Sequence, residues 1–199
     1  MNDRRQRDKE RTIQEVLIEA TKLFSKKGLH GTSIRDIEKS SGVSKGLILY
    51  HFGSKENLYA SVQDQLNQKY IDWMAVQRET SMDLLDSIEK GIGGSLSYLK
   101  TNKEFRRIKL WSYLEGQRRT TDLDKRFMSS LITAMRIGQE EKLVNNDVNA
   151  FILPFIIRGA IDYWIRGEAL REELLAEDQQ EEEISDKDFI EVLVKLILK

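Results

Sequence analysis

Apolar side chains recur every three or four residues along most of this chain, and this spacing buries one face of an α-helix. The first such face consists of Ile13, Val16, Leu17, Ala20, Leu23 and Phe24. Gly28 follows two lysines and is expected to end the helix, because glycine adopts the left-handed conformation there and lysines favour the negative end of the helix dipole. Residues 1–11 are polar and mostly charged, and we interpret them as a mobile arm.

Two short helices are predicted next. Ser33 can cap the first of them, with Asp36 in the position of a capping-box acid. Gly42 then permits a tight turn at positive φ, and Ser44 can cap the second helix. A supporting helix followed by two short helices with a glycine-containing turn between them is typical of a helix-turn-helix unit.

The helical pattern continues through the rest of the chain. Ser54 can cap a long fourth helix, and further helical segments are expected at 82–100, 103–117 and 122–142. Pro154 lies in the next apolar segment and should either kink that helix or mark a delayed start. Ser185 can cap a last helix. With a single proline and few β-branched runs, the chain is predicted to be all-α.

Charge is distributed unevenly. Residues 1–60 carry 12 Lys and Arg against 8 Asp and Glu, a net charge of +4, and residues 61–199 carry 20 against 25, a net charge of −5. Residues 39–55 contain no acid at all. A surface that approaches the phosphates of a polyanion would account for this acid-free segment, so nucleic acid is the expected partner.

Composition argues against several other kinds of site. The chain has no cysteine, and the spacing of its two histidines, His30 and His51, matches no metal-binding motif. No pairing of a nucleophile with a base is recognisable, so we expect no enzyme, no cofactor and no bound metal. The charged N-terminus has no signal-peptide pattern and no apolar run approaches membrane-spanning length, so we expect a cytoplasmic protein without a membrane partner.

The acid-free segment and its flanks carry a specific residue pattern. It consists of Gly28, Thr32-Ser33-Ile34-Arg35-Asp36-Ile37, Ser41-Gly42-Val43-Ser44-Lys45-Gly46 and Tyr50-His51-Phe52-Gly53-Ser54-Lys55-Glu56-Asn57-Leu58. With this pattern, residues 10–60 resemble the DNA-binding domain of the TetR/AcrR family of bacterial transcription regulators. The resemblance implies a three-helix helix-turn-helix domain at 1–55 and a helical effector-binding and dimerisation domain at 56–199.

The resemblance also implies which residues contact DNA. The implied phosphate contacts are Thr32, Ser33 and Lys55, the implied DNA-backbone pair is Tyr50 and His51, and the face entering the major groove consists of Ser44, Lys45, Gly46 and Leu47. The amides at the two capped helix N-termini favour anions, which supports a phosphate near Ser33 or Ser44. One position departs from the family, because Leu49 stands where tyrosine is frequent and cannot donate a hydrogen bond to phosphate.

The C-terminal part carries weaker patterns. A close-packing helix and the apolar last helix suggest a homodimer interface of Phe155, Ile156, Gly159, Ala160, Tyr163, Phe189, Ile190, Leu193, Leu196 and Ile197. Candidate effector contacts are the aromatic and basic residues Tyr98, Phe105, Trp111, Tyr113, Phe155 and Arg158. Aromatics at helical spacing are equally typical of an ordinary core.

These features favour a sequence-specific, ligand-responsive repressor. Two copies would present recognition helices about 34–36 Å apart to a palindromic double-stranded operator, and a small-molecule effector of unknown identity would stabilise an arrangement that no longer fits. An alternative keeps the DNA binding but places the C-terminal domain under the control of a protein partner without a small-molecule ligand. A solid C-terminal core without a cavity would favour this alternative.

Overall fold

The computed structural model describes residues 2–81, 83–177 and 184–198, with side chains from Gln6 onward. Over these residues the backbone forms ten α-helices and no strand, so the all-α prediction is confirmed. The helices are α1 (Asn2–Lys27), α2 (Ile34–Ser41), α3 (Lys45–Phe52), α4 (Lys55–Glu79), α5 (Leu84–Thr101), α6 (Lys103–Leu114), α7 (Asp122–Glu140), α8 (Leu153–Arg166), α9 (Glu168–Glu177) and α10 (Asp186–Ile197).

The helices form two compact units. The first unit comprises Met1–Lys69 and Asn102–Arg119, and the second comprises Tyr70–Thr101 and Thr120–Lys199. The helix α4 therefore contributes to both units, and α6 packs with the N-terminal helices although it lies far from them in sequence. The division of function at residues 1–55 and 56–199 stays a prediction, because packing shows which residues fold together and not which of them bind DNA.

The first unit has a small core built from the predicted apolar faces. Its fully buried side chains include Val16, Ala20, Phe24, Leu29, Ile37, Ile48, Leu58, Tyr59, Val62 and Ile108. The rings of Phe24 and Tyr59 meet edge to face at 4.9 Å. Burial raises the pKa of Tyr59 to about 12, and its hydroxyl donates to the carbonyl of Ile108 in α6. In this core, Ile37 of α2 and Ile48 of α3 are buried together with side chains of α1, α4 and α6.

Polar contacts fix α6 to the end of α1. The carboxylate of Glu115 accepts the amides of Leu29 and His30 at 2.9 and 3.0 Å. The indole of Trp111 donates to the carbonyl of Ser25 at 3.2 Å. Gly28 lies between these contacts with φ 71°, and a Cβ there would overlap the Glu115 carboxylate and come within 2.8 Å of the Trp111 ring. Glycine is therefore required by both backbone conformation and space.

Residues 2–11 are the first turns of α1, so helix begins well before the apolar periodicity does. The segment is rich in Arg, Lys, Glu and Gln, which favour helix. Side-chain pairs four residues apart add support, with Gln6 bonded to Glu10 at 2.8 Å and Arg11 paired with Glu15 at 3.6 Å. The mobility of this arm stays a prediction.

The second unit packs α5, α7, α8 and α10 around a separate core of Ile88, Ile92, Leu96, Met135, Val144, Ala150, Leu153, Ile161, Ile165, Leu193 and Ile197. The helix α8 starts at Leu153 with Pro154 in its first turn, which confirms the delayed start. Ser185 caps α10 in a complete capping box with Asp188. Among the described residues, no helix combines the length and the apolar composition needed to cross a membrane.

Candidate nucleic-acid interface and ligand cavity

The short helix α3 keeps most of its side chains at the surface. Ile48 is fully buried and anchors the helix, whereas Ser44, Lys45, Gly46 and Leu47 are exposed. Tyr50 is 79 % exposed. A Cβ added at Gly46 would meet no atom within 4 Å, so the space outside the first turn is open. The helix therefore presents a bare, acid-free first turn with a large aromatic ring beside it.

The amide end of α3 is already occupied by a carboxylate. Ser44 caps the helix by accepting the amide of Leu47 at 3.4 Å, as predicted. Glu38, in α2, accepts the amide of Lys45 at 2.7 Å. Glu38 stands one residue before the acid-free segment, so its position beside α3 could not be read from the charge pattern. A phosphate is consequently not expected at this helix end, which corrects the sequence argument for an anion near Ser44.

The amide end of α2 remains available. Ser33 and Asp36 form the predicted capping box, with the Asp36 amide donating to the Ser33 hydroxyl at 3.1 Å. Within the described chain, the amides of Ile34 and Arg35 have no acceptor. Free amides at a helix N-terminus attract anions. The exposed Ser33 therefore lies at a helix end that can take a phosphate.

Thr32 has a different place from the one expected. Its side chain is 1 % exposed, and its hydroxyl donates to the carbonyl of Gly28 at 2.8 Å. Its own carbonyl accepts the ammonium of Lys55 at 3.0 Å. A side chain without exposed surface cannot reach DNA, so the expected phosphate contact of Thr32 is corrected to a role in ordering the loop. Lys55 is half-buried and keeps two N–H donors beyond this bond.

The second unit carries an exposed apolar face on α8 and its approach. This face consists of Ile152, Phe155, Ile156, Gly159 and Tyr163, spaced three and four residues apart as one side of a helix requires. Tyr163 is 66 % exposed, and a Cβ at Gly159 would meet nothing within 4 Å. On α10, Val192 and Leu196 are exposed as well. Ile152 and Val192 were not among the predicted interface residues.

The other predicted interface residues pack within the protomer. Leu193 and Ile197 belong to the core of the second unit and have almost no exposed surface, which corrects their assignment to an interface. Ala160, Phe189 and Ile190 are half-buried against the same core. The ring of Phe189 stacks on Trp164 at a centroid distance of 4.5 Å.

A cavity of about 760 Å³, including the part open to solvent, lies in the second unit. Residues of α4, α5, α7 and α8 line it: Tyr70, Met74, Gln77, Arg78, Leu84, Ser87, Ile88, Gly91, Ile92, Ser95, Phe127, Leu131, Ala134, Met135, Pro154, Ile157, Arg158 and Ile161. The solid C-terminal core that would favour control by a protein partner is therefore not observed.

One of the six predicted effector contacts, Arg158, lines this cavity. Tyr98 is buried with its ring 5.2 Å from that of Tyr70, and Phe155 is exposed on the apolar face of α8. The remaining three residues belong to the first unit. There Phe105 is core, Trp111 is bonded to α1 and Tyr113 is exposed.

Comparison with known proteins identifies the N-terminal region. Residues 16–62 match the family described as bacterial regulatory proteins, tetR family. Over these residues, the chain is similar to the TetR family. The matched segment contains α2, α3 and the beginning of α4, the helices that carry the candidate DNA contacts.

Similarity to the curated relatives covers between 25 % and 55 % of the chain, whereas similarity of fold extends over more than nine tenths of it. The HTH-type transcriptional repressor Rv3405c of Mycobacterium tuberculosis is 43 % identical over 61 residues, which cover 31 % of this chain and 32 % of that protein. The chain thus spans about a third of the length of such relatives. The transcriptional regulator SCO4942 of Streptomyces coelicolor is 20 % identical with a TM-score of 0.72, covering 92 % of this chain and 94 % of that one. AibR, crystallised with isovaleryl coenzyme A and operator DNA, is 12 % identical with a TM-score of 0.70, covering 94 % and 97 %.

Leu49 is the position at which this TetR-like region departs from the family pattern. Its side chain is half-buried on α3, between the buried Ile48 and the exposed Tyr50. The neighbouring Tyr50 is exposed and carries a hydroxyl, which Leu49 lacks. His51 is half-buried, and its ring meets that of Tyr50 edge to face at 5.2 Å.

The capping box of α2 predicts that the stability of the helix-turn-helix region is sensitive to acid. Hydrogen bonds from the Ser33 hydroxyl and amide hold the pKa of Asp36 below its usual 3.8. A carboxyl whose pKa is depressed by folding stabilises the native state above its unfolded pKa, and this contribution is lost as pH falls through the folded value. We expect Asp36→Asn to be less stable than wild type at pH 7 in urea unfolding, and the difference to shrink below about pH 4.

Asp8→Asn is the control for this measurement, since it removes the same charge from an exposed position on α1. It should leave the stability at pH 7 nearly unchanged. A constant difference between wild type and Asp36→Asn from pH 7 to pH 3 would show that the carboxylate charge is not what stabilises the cap.

Proposed function

We propose that this protein is a homodimeric, sequence-specific DNA-binding transcription regulator of the cytoplasm, a repressor that a small-molecule effector releases from a palindromic operator. The observation that carries the proposal is the exposed, acid-free first turn of α3 within a segment that matches the TetR family. Several relatives that match this segment are named as transcriptional repressors, which supports the sign of regulation.

The contacts to DNA follow from the exposed side chains. Gly46 and Leu47 approach the base edges of the major groove, because one has no side chain and the other can contact a thymine methyl group. Lys45, Tyr50 and His51 contact the sugar-phosphate backbone around the groove. The free amides of Ile34 and Arg35, next to Ser33 at the start of α2, bind one phosphate, and Lys55 binds another with the donors that Thr32 leaves free.

The homodimer forms through the exposed apolar face of α8 together with Val192 and Leu196 of α10. When this face packs against the same face of a second copy, its large apolar side chains are removed from water. Two recognition helices would then meet successive major grooves about 34–36 Å apart.

The cavity supports release by a small molecule. Its lining is mostly apolar with a few polar groups, as in ligand sites, and AibR is a protein of similar fold whose crystal structure holds both isovaleryl coenzyme A and operator DNA. The helix α4 begins at Lys55 and continues to Tyr70, Met74, Gln77 and Arg78, which line the cavity. A change at the cavity can therefore bias the position of Lys55 through one continuous helix.

A gel-shift titration tests DNA binding. We expect the protein to prefer the promoter region next to its own gene over unrelated DNA of equal length, and the affinity to fall steeply with salt because phosphate contacts release counterions. Equal affinity for both DNAs would contradict the proposed operator recognition.

Lys45→Ala is expected to weaken binding by roughly fivefold to tenfold on specific and unrelated DNA alike, because a phosphate contact carries little sequence information. It should also reduce the slope of log K against log salt by about 0.9. Lys69→Ala, at an exposed position on α4, is the matched control and should change neither quantity. A loss confined to the specific DNA, with the slope unchanged, would show that Lys45 reads bases.

A further inference from the structure

The cavity of the second unit carries charge of one sign. Its wall is mostly aliphatic and aromatic, with Arg78 and Arg158 as the charged side chains. None of the described residues that line it is Asp or Glu. Both arginines are exposed, so their charge is in contact with solvent as well as with the cavity.

Arg158 is held against this wall by aromatic side chains. Its guanidinium donates to the hydroxyl of Tyr70 at 3.3 Å, and its central carbon lies 5.7 Å from the centroid of the Tyr70 ring. The centroid of Phe127 lies at 6.0 Å. The Tyr70 hydroxyl is also hydrogen-bonded to the Ser95 hydroxyl at 2.9 Å, and both of these residues are buried. This arrangement positions the guanidinium at the cavity before any ligand binds.

The positive charge of Arg158 is not neutralised within the part of the chain that the structure describes. No carboxylate there forms an ion pair with it, whereas Arg119 is paired with Asp64 and Arg166 with Asp162. A guanidinium has five N–H donors in a planar fork, and one of them is used by Tyr70. The remaining donors match the geometry of a carboxylate, which accepts two parallel hydrogen bonds from arginine.

We propose that this cavity binds an amphipathic carboxylate, with the carboxylate on Arg158 and an apolar chain or ring along Ile88, Ile92, Leu131 and Ile157. That such a ligand acts as the effector rests on the proposed function. That it binds in the cavity does not. The mostly apolar wall of the cavity suits the apolar chain or ring of such a ligand.

Isothermal titration calorimetry on the full-length protein without DNA tests the proposal. The probes are decanoate, decanol and decyltrimethylammonium, which share one chain length and differ in head-group charge. We expect decanoate to bind about tenfold or more tightly than decanol, and decyltrimethylammonium to bind most weakly, since a charged hydrogen bond to arginine discriminates by about that factor.

The variants Arg158→Gln and Arg158→Lys separate the charge from the packing. Arg158→Gln should remove the preference for decanoate while leaving the affinity for decanol unchanged, and Arg158→Lys should keep part of the preference. Arg136→Gln removes an exposed arginine of α7 outside the cavity and should bind all three probes as the wild type does. The melting temperature of each variant without ligand shows whether it folds.

The proposal is overturned if decanol or decyltrimethylammonium binds as tightly as decanoate, or if no probe binds. It is also overturned if folded Arg158→Gln keeps the wild-type preference. A separate gel shift distinguishes this result from the proposed function. If decanoate binds without releasing the promoter DNA, the carboxylate site is supported and release by this ligand class is contradicted. If the protein binds no DNA, the proposed function fails, and the calorimetry still decides whether the cavity binds a carboxylate.

Discussion

Gly46→Glu is expected to abolish operator binding while leaving the fold at least as stable as that of the wild type. A side chain at this position would meet no atom of the protein within 4 Å, so the substitution causes no clash. Replacing glycine in a helix typically stabilises it by roughly 0.5–1 kcal/mol, and an acid in the first turn favours the positive end of the helix dipole. The neighbouring Glu38 carboxylate offsets part of this gain.

The same side chain would lie on the turn of α3 that we propose to face DNA. It fills the space that glycine leaves for the groove and places a negative charge among phosphates. We expect the affinity for the promoter DNA to fall at least a hundredfold, since one unfavourable charge in a buried interface costs about 3 kcal/mol or more. Fluorescence anisotropy with labelled promoter DNA measures the affinity, and urea unfolding measures the stability.

Two control variants separate the possible causes. Gly46→Ala should be as stable as Gly46→Glu and should bind DNA far better, because it adds one methyl group and no charge. Gln68→Glu adds the same charge at an exposed position on α4 and should bind DNA nearly as the wild type does. If Gly46→Glu retained wild-type affinity at unchanged stability, the first turn of α3 could not be the recognition surface.

Local features of the helix-turn-helix region were predictable from the sequence because they depend on neighbouring residues. The capping box of Ser33 and Asp36, the turn at Gly42 with φ 71° and the cap at Ser44 all occur as predicted. Each requires a residue type at a fixed offset from the helix start, which the sequence states directly. The matching family segment confirms the assignment of this region.

The contacts that decide exposure were not predictable in the same way. Thr32 has the residue type of a phosphate contact, but the loop after α1 turns its hydroxyl towards the Gly28 carbonyl. Glu38 reaches the amide of Lys45 only because the turn at Gly42 brings α3 beside α2. Glu115 joins α6 to the end of α1 across more than eighty residues. Such pairings follow from the packing of whole helices, and no local pattern encodes them.

The cavity illustrates the same limit. Aromatic residues suggested where an effector binds, yet Phe105 fills the core of the first unit and Tyr98 is buried against Tyr70. Aromatic side chains serve cores and ligand sites with the same helical spacing, so their type does not separate the two. Arg158 was a candidate because its charge is available to an anionic group of an effector.

Phe155→Glu is expected to convert the dimer into a monomer and thereby to remove operator binding. Phe155 is 52 % exposed in the middle of the apolar face of α8, with Phe151 in ring contact at 5.6 Å. In a twofold interface the substitution acts twice, since each copy presents the same patch to the other. Two unpaired carboxylates buried there should raise the dissociation constant of the dimer at least a thousandfold, because each costs about 2–5 kcal/mol.

Sedimentation velocity at micromolar concentration measures the oligomeric state of this variant, and anisotropy measures its DNA binding. The monomer should keep its fold, because Phe155 lies outside the core of the second unit, and should lose most of its affinity since one recognition helix replaces two. Tyr163→Glu should behave in the same way, as it lies on the same face. Ile137→Glu places the charge on an exposed apolar residue of α7 outside this face and should remain a dimer. A Phe155→Glu protein that sediments as a dimer and binds the promoter normally would exclude this face as the interface, and dimerisation through another surface would then have to position the two copies of α3.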